Sequence, residues 1–146
     1  MSSSTAPAVK AALVALLADA LGGVAVAYGP PPPGVLAGRE FVWVGAITHT
    51  QAAAALGRRR RSDEYEIEVV CDVRGADRAD HQELTERAYE LAAAVEDTVR
   101  DWEPQTAVAG AILVEVVGMV LAEGFVGESA NRASRVTVSL RTTTRI

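Results

Sequence analysis

The chain has 146 residues, of which 49% are hydrophobic and 23% charged, a balance typical of one soluble globular domain with a sizeable core. Its formal charge of −5 excludes nucleic-acid or membrane binding through bulk electrostatics. The single cysteine, Cys71, excludes an internal disulfide and a multi-cysteine metal site, so a reducing compartment is the default. The most apolar stretch of the N-terminal helix is too short to span a bilayer, so we expect no membrane partner.

The N-terminal third predicts one helix and two strands. A flexible polar leader (residues 1–7) precedes a helix that begins near Ala8 and ends at the glycine pair 22–23. VAVAY (24–28) predicts a short strand that enters the stiff turn GPPPPG, and FVWVGAI (41–47) predicts a second strand. The apolar stripe expected to be buried on the helix comprises Val9, Leu13, Leu16, Leu17 and Ala20.

A long loop is predicted over residues 48–64, and it contains the run GRRRRSDE. Four adjacent guanidinium groups cannot all be paired inside a core of this size, so Arg58, Arg59, Arg60 and Arg61 are expected at an exposed loop tip. YEIEVVCDV (65–73) then alternates as a strand with one buried face and one face in water. The buried face is predicted to hold Tyr65, Ile67, Val69, Cys71 and Val73, and the wet face Glu66, Glu68, Val70 and Asp72.

The C-terminal half predicts a long helix and two further strands. Asp77 or Asp80 can cap this helix, Asp80 and Glu83 have the spacing of a capping box, and the helix runs to about Trp102 before Pro104 closes it. A strand over 111–121, a glycine-broken loop over 122–134 and a final strand over 136–144 follow. The buried stripe of the helix is predicted to be Leu84, Ala88, Leu91, Val95, Val99 and Trp102.

This order of elements predicts the fold class. Strands that follow one another through short links usually pair antiparallel. We therefore expect a single α+β domain over residues 1–146, with a mostly antiparallel five-stranded sheet and two helices packed on one face.

The sequence carries no pattern of a catalytic or cofactor site. It has neither a phosphate-binding GxxxxGK[ST] loop nor a GxGxxG turn after a strand. Cys71 is predicted to be a buried thiol, and His49 and His81 lie far apart without metal-ligand spacing. We therefore expect no enzymatic activity and no cofactor.

The acidic residues Asp63, Glu64, Glu66 and Glu68 allow two interpretations. They could bind a cation, or they could form a solvated or partner-facing acidic strand. The segment lacks the glycine turn and the oxygen ligands of a calcium loop, which favours the second interpretation. Together with the four arginines, these acids are the candidate interface residues.

The charge is unevenly distributed along the chain. Residues 1–62 carry +4, residues 63–103 carry −10 and residues 104–146 carry +1. Such a chain can pair its basic and acidic surfaces within the fold or between copies.

Five segments follow one another along the chain: VAVAYGPPPPG, FVWVGAI, DEYEIEVVCDV, ELTERAYELAAAVEDTVR and SRVTVSLRTTT. In this order of elements, from about Val9 to Thr144, the chain resembles the tail terminator (tail completion) proteins of long-tailed bacteriophages. The resemblance implies a structural virion protein, assembled in the host cytoplasm, at the head-proximal end of the tail. It implies a homo-hexameric ring that caps the major tail tube protein, stops tube polymerisation and contacts the head–tail connector or stopper protein.

In that family the loop between the second and third strands contributes to ring or tube contacts, and here this loop is residues 48–64. A variant in which the loops line the channel, in transient contact with DNA, stays open. So do three other functions: a head-closure or connector protein, a small nucleic-acid-binding module that uses Arg58–Arg61, and an enzyme or ligand-binding domain. The charge of −5 and the lack of aromatic residues among the arginines argue against the nucleic-acid module.

Overall fold

The computed structural model describes residues 4–32, 40–50, 62–75, 80–126 and 131–145. These residues form one five-stranded sheet in the order β1-β2-β3-β5-β4, with two helices. Every neighbouring pair of strands is antiparallel except β1 and β2, which confirms the predicted fold class. The elements are α1 (Ala6–Ala20), β1 (Ala25–Ala27), β2 (Glu40–Thr50), β3 (Ser62–Gly75), α2 (His81–Arg100), a 3-10 turn (Pro104–Thr106), β4 (Ala111–Val126) and β5 (Asn131–Arg145).

The four long strands extend further than the sequence predicts. β2 and β3 still pair at Thr50 and Glu64, so strand residues occupy both ends of the predicted 48–64 loop. The predicted loop over 122–134 is wrong over most of its length, since β4 continues to Val126 and β5 begins at Asn131. Ladder hydrogen bonds to a neighbouring strand hold Gly, Thr and Glu in extended conformation despite their weak preference for it. The four arginines at 58–61 lie outside the described residues.

The β1–β2 pair departs from the rule that consecutive strands pair antiparallel. Ala25 lies opposite Phe41 and Ala27 opposite Trp43, in parallel register. A parallel pair needs a connection of about a dozen residues, because the chain must return to the end of the sheet at which the first strand began. The 12 residues from 28 to 39, which include GPPPPG, provide that length.

Both helices pack on the same face of the sheet, as predicted. Val9, Leu13 and Leu17 of α1 are buried and Leu16 is half-buried, whereas Ala20 is exposed and does not belong to the core. All predicted stripe residues of α2 are buried up to Val99, and Trp102 is half-buried. The sheet residues in this core are Val42, Val44, Tyr65, Ile67, Val69, Cys71, Val73, Ala111, Val114, Val136, Val138 and Leu140.

The helix ends follow local rules. Gly23 adopts a φ of 85° in the turn after α1, a left-handed conformation that costs glycine little. Asp80 is the N-cap of α2, which was one of the two predicted alternatives. Its side chain accepts a hydrogen bond from the backbone N–H of Gln82 (3.2 Å), and not from that of Glu83. Arg87 then fixes α2 to the sheet by donating to both carboxylate oxygens of Glu40, at 2.7 and 2.9 Å.

Candidate assembly surface

Three of the four predicted acidic residues lie on the sheet face opposite the helices. Glu64, Glu66 and Glu68 are alternate residues of β3, partly or fully exposed, while the intervening side chains enter the core. β5 places Thr143, Arg141 and Ser139 directly opposite these three glutamates. Asp63 lies in β3, opposite Thr144, and the described structure extends only to its backbone. Three of the predicted interface residues therefore form one row on one surface.

The same face is not wet along its whole length, which corrects the predicted pattern of β3. Asp72 was expected in water but has no exposed surface, and Val70 is also buried. Arg74 Nε donates to one carboxylate oxygen of Asp72 at 2.9 Å, and Arg135 Nε donates to the other at 2.9 Å. Two guanidinium groups thus compensate the carboxylate for the water it has lost.

A small apolar cluster lies beside this ion pair. Phe41, Trp43 and Val70 pack together on the face away from the helices, with the two aromatic rings 6.3 Å apart. The guanidinium carbon of Arg135 lies 5.0 Å from the centre of the Trp43 ring, within the range of a cation–π contact. β2 is therefore apolar on both faces, because one face packs in the main core and the other in this small cluster.

Sequence reasoning missed the buried ion pair of Asp72 and the apolar cluster around Trp43, although two patterns pointed to them. FVWVGAI has no polar position, and a strand with one face in water alternates. Asp72 and Arg74 have the i, i+2 spacing that places both side chains on one face of a strand. The partner from β5, Arg135, could not be assigned without the register between the two strands.

β4 forms one edge of the sheet and is unusually apolar for an edge. Among the described residues, five of the seven large hydrophobic side chains that are exposed belong to this strand. They are Ile112, Leu113, Val117, Val120 and Leu121. Exposed apolar groups concentrated on one edge are typical of a contact surface.

Two irregularities in β4 contribute to this exposure. The register with β5 shifts between Ala111 and Leu113 and again between Val116 and Gly118, so Ile112 and Val117 are extra residues without a cross-strand partner. Bulges bend an edge strand and disfavour the addition of a further strand. They leave the β4 side chains, more than its backbone, available for a contact.

A cleft of about 250 Å³ lies between α2 and this edge. Val99, Leu113 and Val116 supply apolar walls. At its rim Arg100 donates to Glu96 at 2.8 Å, and Glu115 lies 4.0 Å from Arg141. The combination of an apolar floor and a charged rim is found at protein interfaces.

The described residues offer no reactive thiol and no cluster for a metal. Burial raises the pKa of Cys71 to about 12, so its thiol stays protonated near neutral pH. Within residues 4–32, 40–50, 62–75, 80–126 and 131–145, no three His, Cys, Asp or Glu side chains are grouped to hold a metal ion. None of the helices in these ranges has the length and hydropathy needed to cross a membrane.

No protein-family model and no curated protein matches the sequence. Among solved structures, the chain is similar to a chain of the virion of a native gene transfer agent (GTA) particle. The two sequences are 21% identical, the alignment covers 99% of this chain and 100% of the other, and the TM-score is 0.65. The chain therefore shares its fold, over its full length, with a component of that virion.

Proposed function

We propose that this protein is a structural subunit of a phage-like virion that acts as a tail terminator without enzymatic activity. In this role six copies form a ring on the end of the tail tube. The ring stops polymerisation of the tube protein and provides the surface for the head–tail connector. The protein resides at the head-proximal end of the tail, after assembly in the host cytoplasm.

The observation that carries the proposal is the full-length structural likeness to a chain of a virion particle. The alignment covers 99% of this chain and 100% of the other, so the likeness extends over both chains. Fold alone does not assign function, so the surfaces must agree with the role.

The surfaces of the described residues agree with an assembly role. A subunit of a closed ring contacts two neighbours through two different surfaces. The apolar β4 edge and the acidic row on β3 are separate surfaces of this kind. The buried, protonated Cys71 provides no nucleophile.

The proposal is tested by deleting the gene in the strain that produces the particle and measuring tails by electron microscopy. We expect tubes longer than the normal length and unattached to heads, and we expect the wild-type gene in trans to restore both. The matched control is the Glu83→Gln variant, which alters one exposed carboxylate of α2, away from the acidic row and from β4, and should restore tails like wild type.

Two outcomes would contradict the proposal. Tails of normal length that fail to join heads would assign the protein to head closure or to the connector. Tails of normal length that are joined to heads would exclude a role at this junction altogether.

A further inference from the structure

The strand order places two exposed apolar sites at opposite ends of one sheet. β4 is the last strand in the order and carries five exposed aliphatic side chains. At the other end, Tyr28 directly follows β1 and is 49% exposed. Four inter-strand spacings of about 4.8 Å separate β1 from β4, which is about 19 Å. One molecule therefore cannot bring these sites together.

The two ends also differ in charge. Lys10 Nζ lies 4.3 Å from the centre of the Tyr28 ring, so this end presents an ammonium group on an aromatic surface. The β4 end presents two exposed carboxylates among its aliphatic side chains: Glu115, which lies 4.0 Å from Arg141, and Glu123, which accepts from the Thr85 hydroxyl. Two surfaces can form a complementary contact when they carry opposite charges and when both expose apolar groups.

We infer that the β4 edge of one copy docks against the Lys10 and Tyr28 end of a second copy. The contact is heterologous, because each copy uses a different surface, and repetition of such a contact closes a ring when the rotation between copies allows it. The inference rests on the proposed ring and names the surfaces that would form it. The bulges in β4 indicate packing of side chains, and Val120 is the most exposed of the five aliphatic side chains, at 66%.

The length of β4 is sufficient for a stable interface. Sixteen residues at about 3.4 Å each make an edge of about 54 Å. A contact only about 15 Å wide along this edge would cover about 800 Å² per copy, the usual size of a specific interface.

Cysteine cross-linking tests the inference in the full-length protein, because the native Cys71 is buried and protonated. Tyr28→Cys and Val120→Cys are prepared separately, mixed and treated with a short bis-maleimide reagent. We expect a cross-linked dimer in the mixture and little or none in either variant alone. With both substitutions in one chain, we expect a ladder of cross-linked species. The control pair is Tyr89→Cys with Val120→Cys, since Tyr89 is also exposed (42%) but lies on α2.

A second variant measures the contribution of the exposed aliphatic side chains of β4. Val120→Lys should raise the protein concentration needed for assembly about tenfold or more, because it replaces an apolar group of the contact by a cation that faces the ammonium group of Lys10. The thermal midpoint of the monomer should not change at so exposed a position.

The remaining outcomes separate this inference from the proposed function. Rings that are visible by electron microscopy but show no cross-link between positions 28 and 120 would overturn the inference and leave the ring intact. A strong cross-link between two copies of Val120→Cys would replace it with a symmetric dimer. Protein that stays monomeric at high concentration and in the presence of tail tubes would contradict both.

Discussion

The two arginines that hold Asp72 come from different parts of the chain. Arg74 lies two residues after Asp72 in the same strand, whereas Arg135 is 63 positions away and reaches Asp72 through strand pairing. Arg135 also covers the Trp43 ring, so one side chain closes both the ion pair and the small apolar cluster. Removing one partner of a buried carboxylate costs more stability than removing one partner of an exposed ion pair.

Asp72→Asn should destabilise the protein by about 1.5–3 kcal/mol, because it leaves the nearly buried guanidinium group of Arg74 (side chain 8% exposed) next to a neutral side chain, while Arg135 (40% exposed) keeps its contact with water. Urea denaturation followed by circular dichroism measures this change. The control is Glu66→Gln on the exposed part of the same strand, for which we expect a change within about 0.5 kcal/mol. A loss below about 1 kcal/mol for Asp72→Asn would show that water replaces the carboxylate easily.

Alternation along β3 correctly predicted its buried face, from Tyr65 to Val73, because that face depends only on the period of a strand. The opposite face depends on what its neighbours place there. Asp72 is buried because Arg135 and the Trp43 cluster lie beside it, and these residues come from other strands. Local pattern carries no information about such partners.

At the scale of elements, α2 is the main cover of the sheet centre. It contacts β3, β5 and β4, and its buried stripe includes Leu91, which is 3% exposed. Further contacts at its first two turns fix its position: Thr85 donates to Glu123 on β4, and the Thr85 and Ser134 hydroxyls lie 2.9 Å apart. The helix thus holds the β4–β5 hairpin by polar as well as apolar contacts.

Leu91→Ala should cost about 2–5 kcal/mol, the range for opening a cavity in a tightly packed core. The control is Tyr89→Ala on the exposed side of the same helix, which should cost less than about 1 kcal/mol. Thermal and urea unfolding of both variants check the prediction. A loss under about 1 kcal/mol for Leu91→Ala would place this residue outside the core.

The element order and types were predictable, and the strand ends were not. Helix stripes and the capping aspartate are local, so α1 and α2 were found within a few residues. The ends of β4 and β5 depend on each other, since Gly124 and Ala133 stay extended only as cross-strand partners. The edge position of β4 follows from the strand order, which cannot be predicted from any short segment of the sequence.

For the whole molecule, the uneven charge makes the basic run the next feature to test. Acidic residues outnumber basic ones in the described part of the fold, while Arg58–Arg61 lie outside it. Changing all four arginines to serine should weaken ring formation, since it removes the cations that we hypothesise to meet an acidic surface of a neighbouring subunit or tail protein. Ring yield and tail length in complemented lysates measure the effect.

The outcomes of this change are distinct. Normal rings on tails of normal length would exclude a role of the arginines in assembly. Normal rings with failed DNA delivery would favour arginines that line the channel. Lysine in place of all four arginines is the matched control, because it retains the charge and removes the planar donor geometry.

The position of β5 has a consequence for the synthesis of the protein. β5 comes last in the chain order of the elements, yet it lies between β3 and β4 in the sheet. About 70 residues separate the end of β3 from the end of β5, which corresponds to roughly 4–14 s of translation at about 5–20 residues per second. During that interval β3 has a partner on one side only, and the apolar β4 has none among the described strands. Until β5 is available, the nascent chain therefore exposes the apolar β4 to aggregation, and this sheet is completed by the insertion of β5 between β3 and β4.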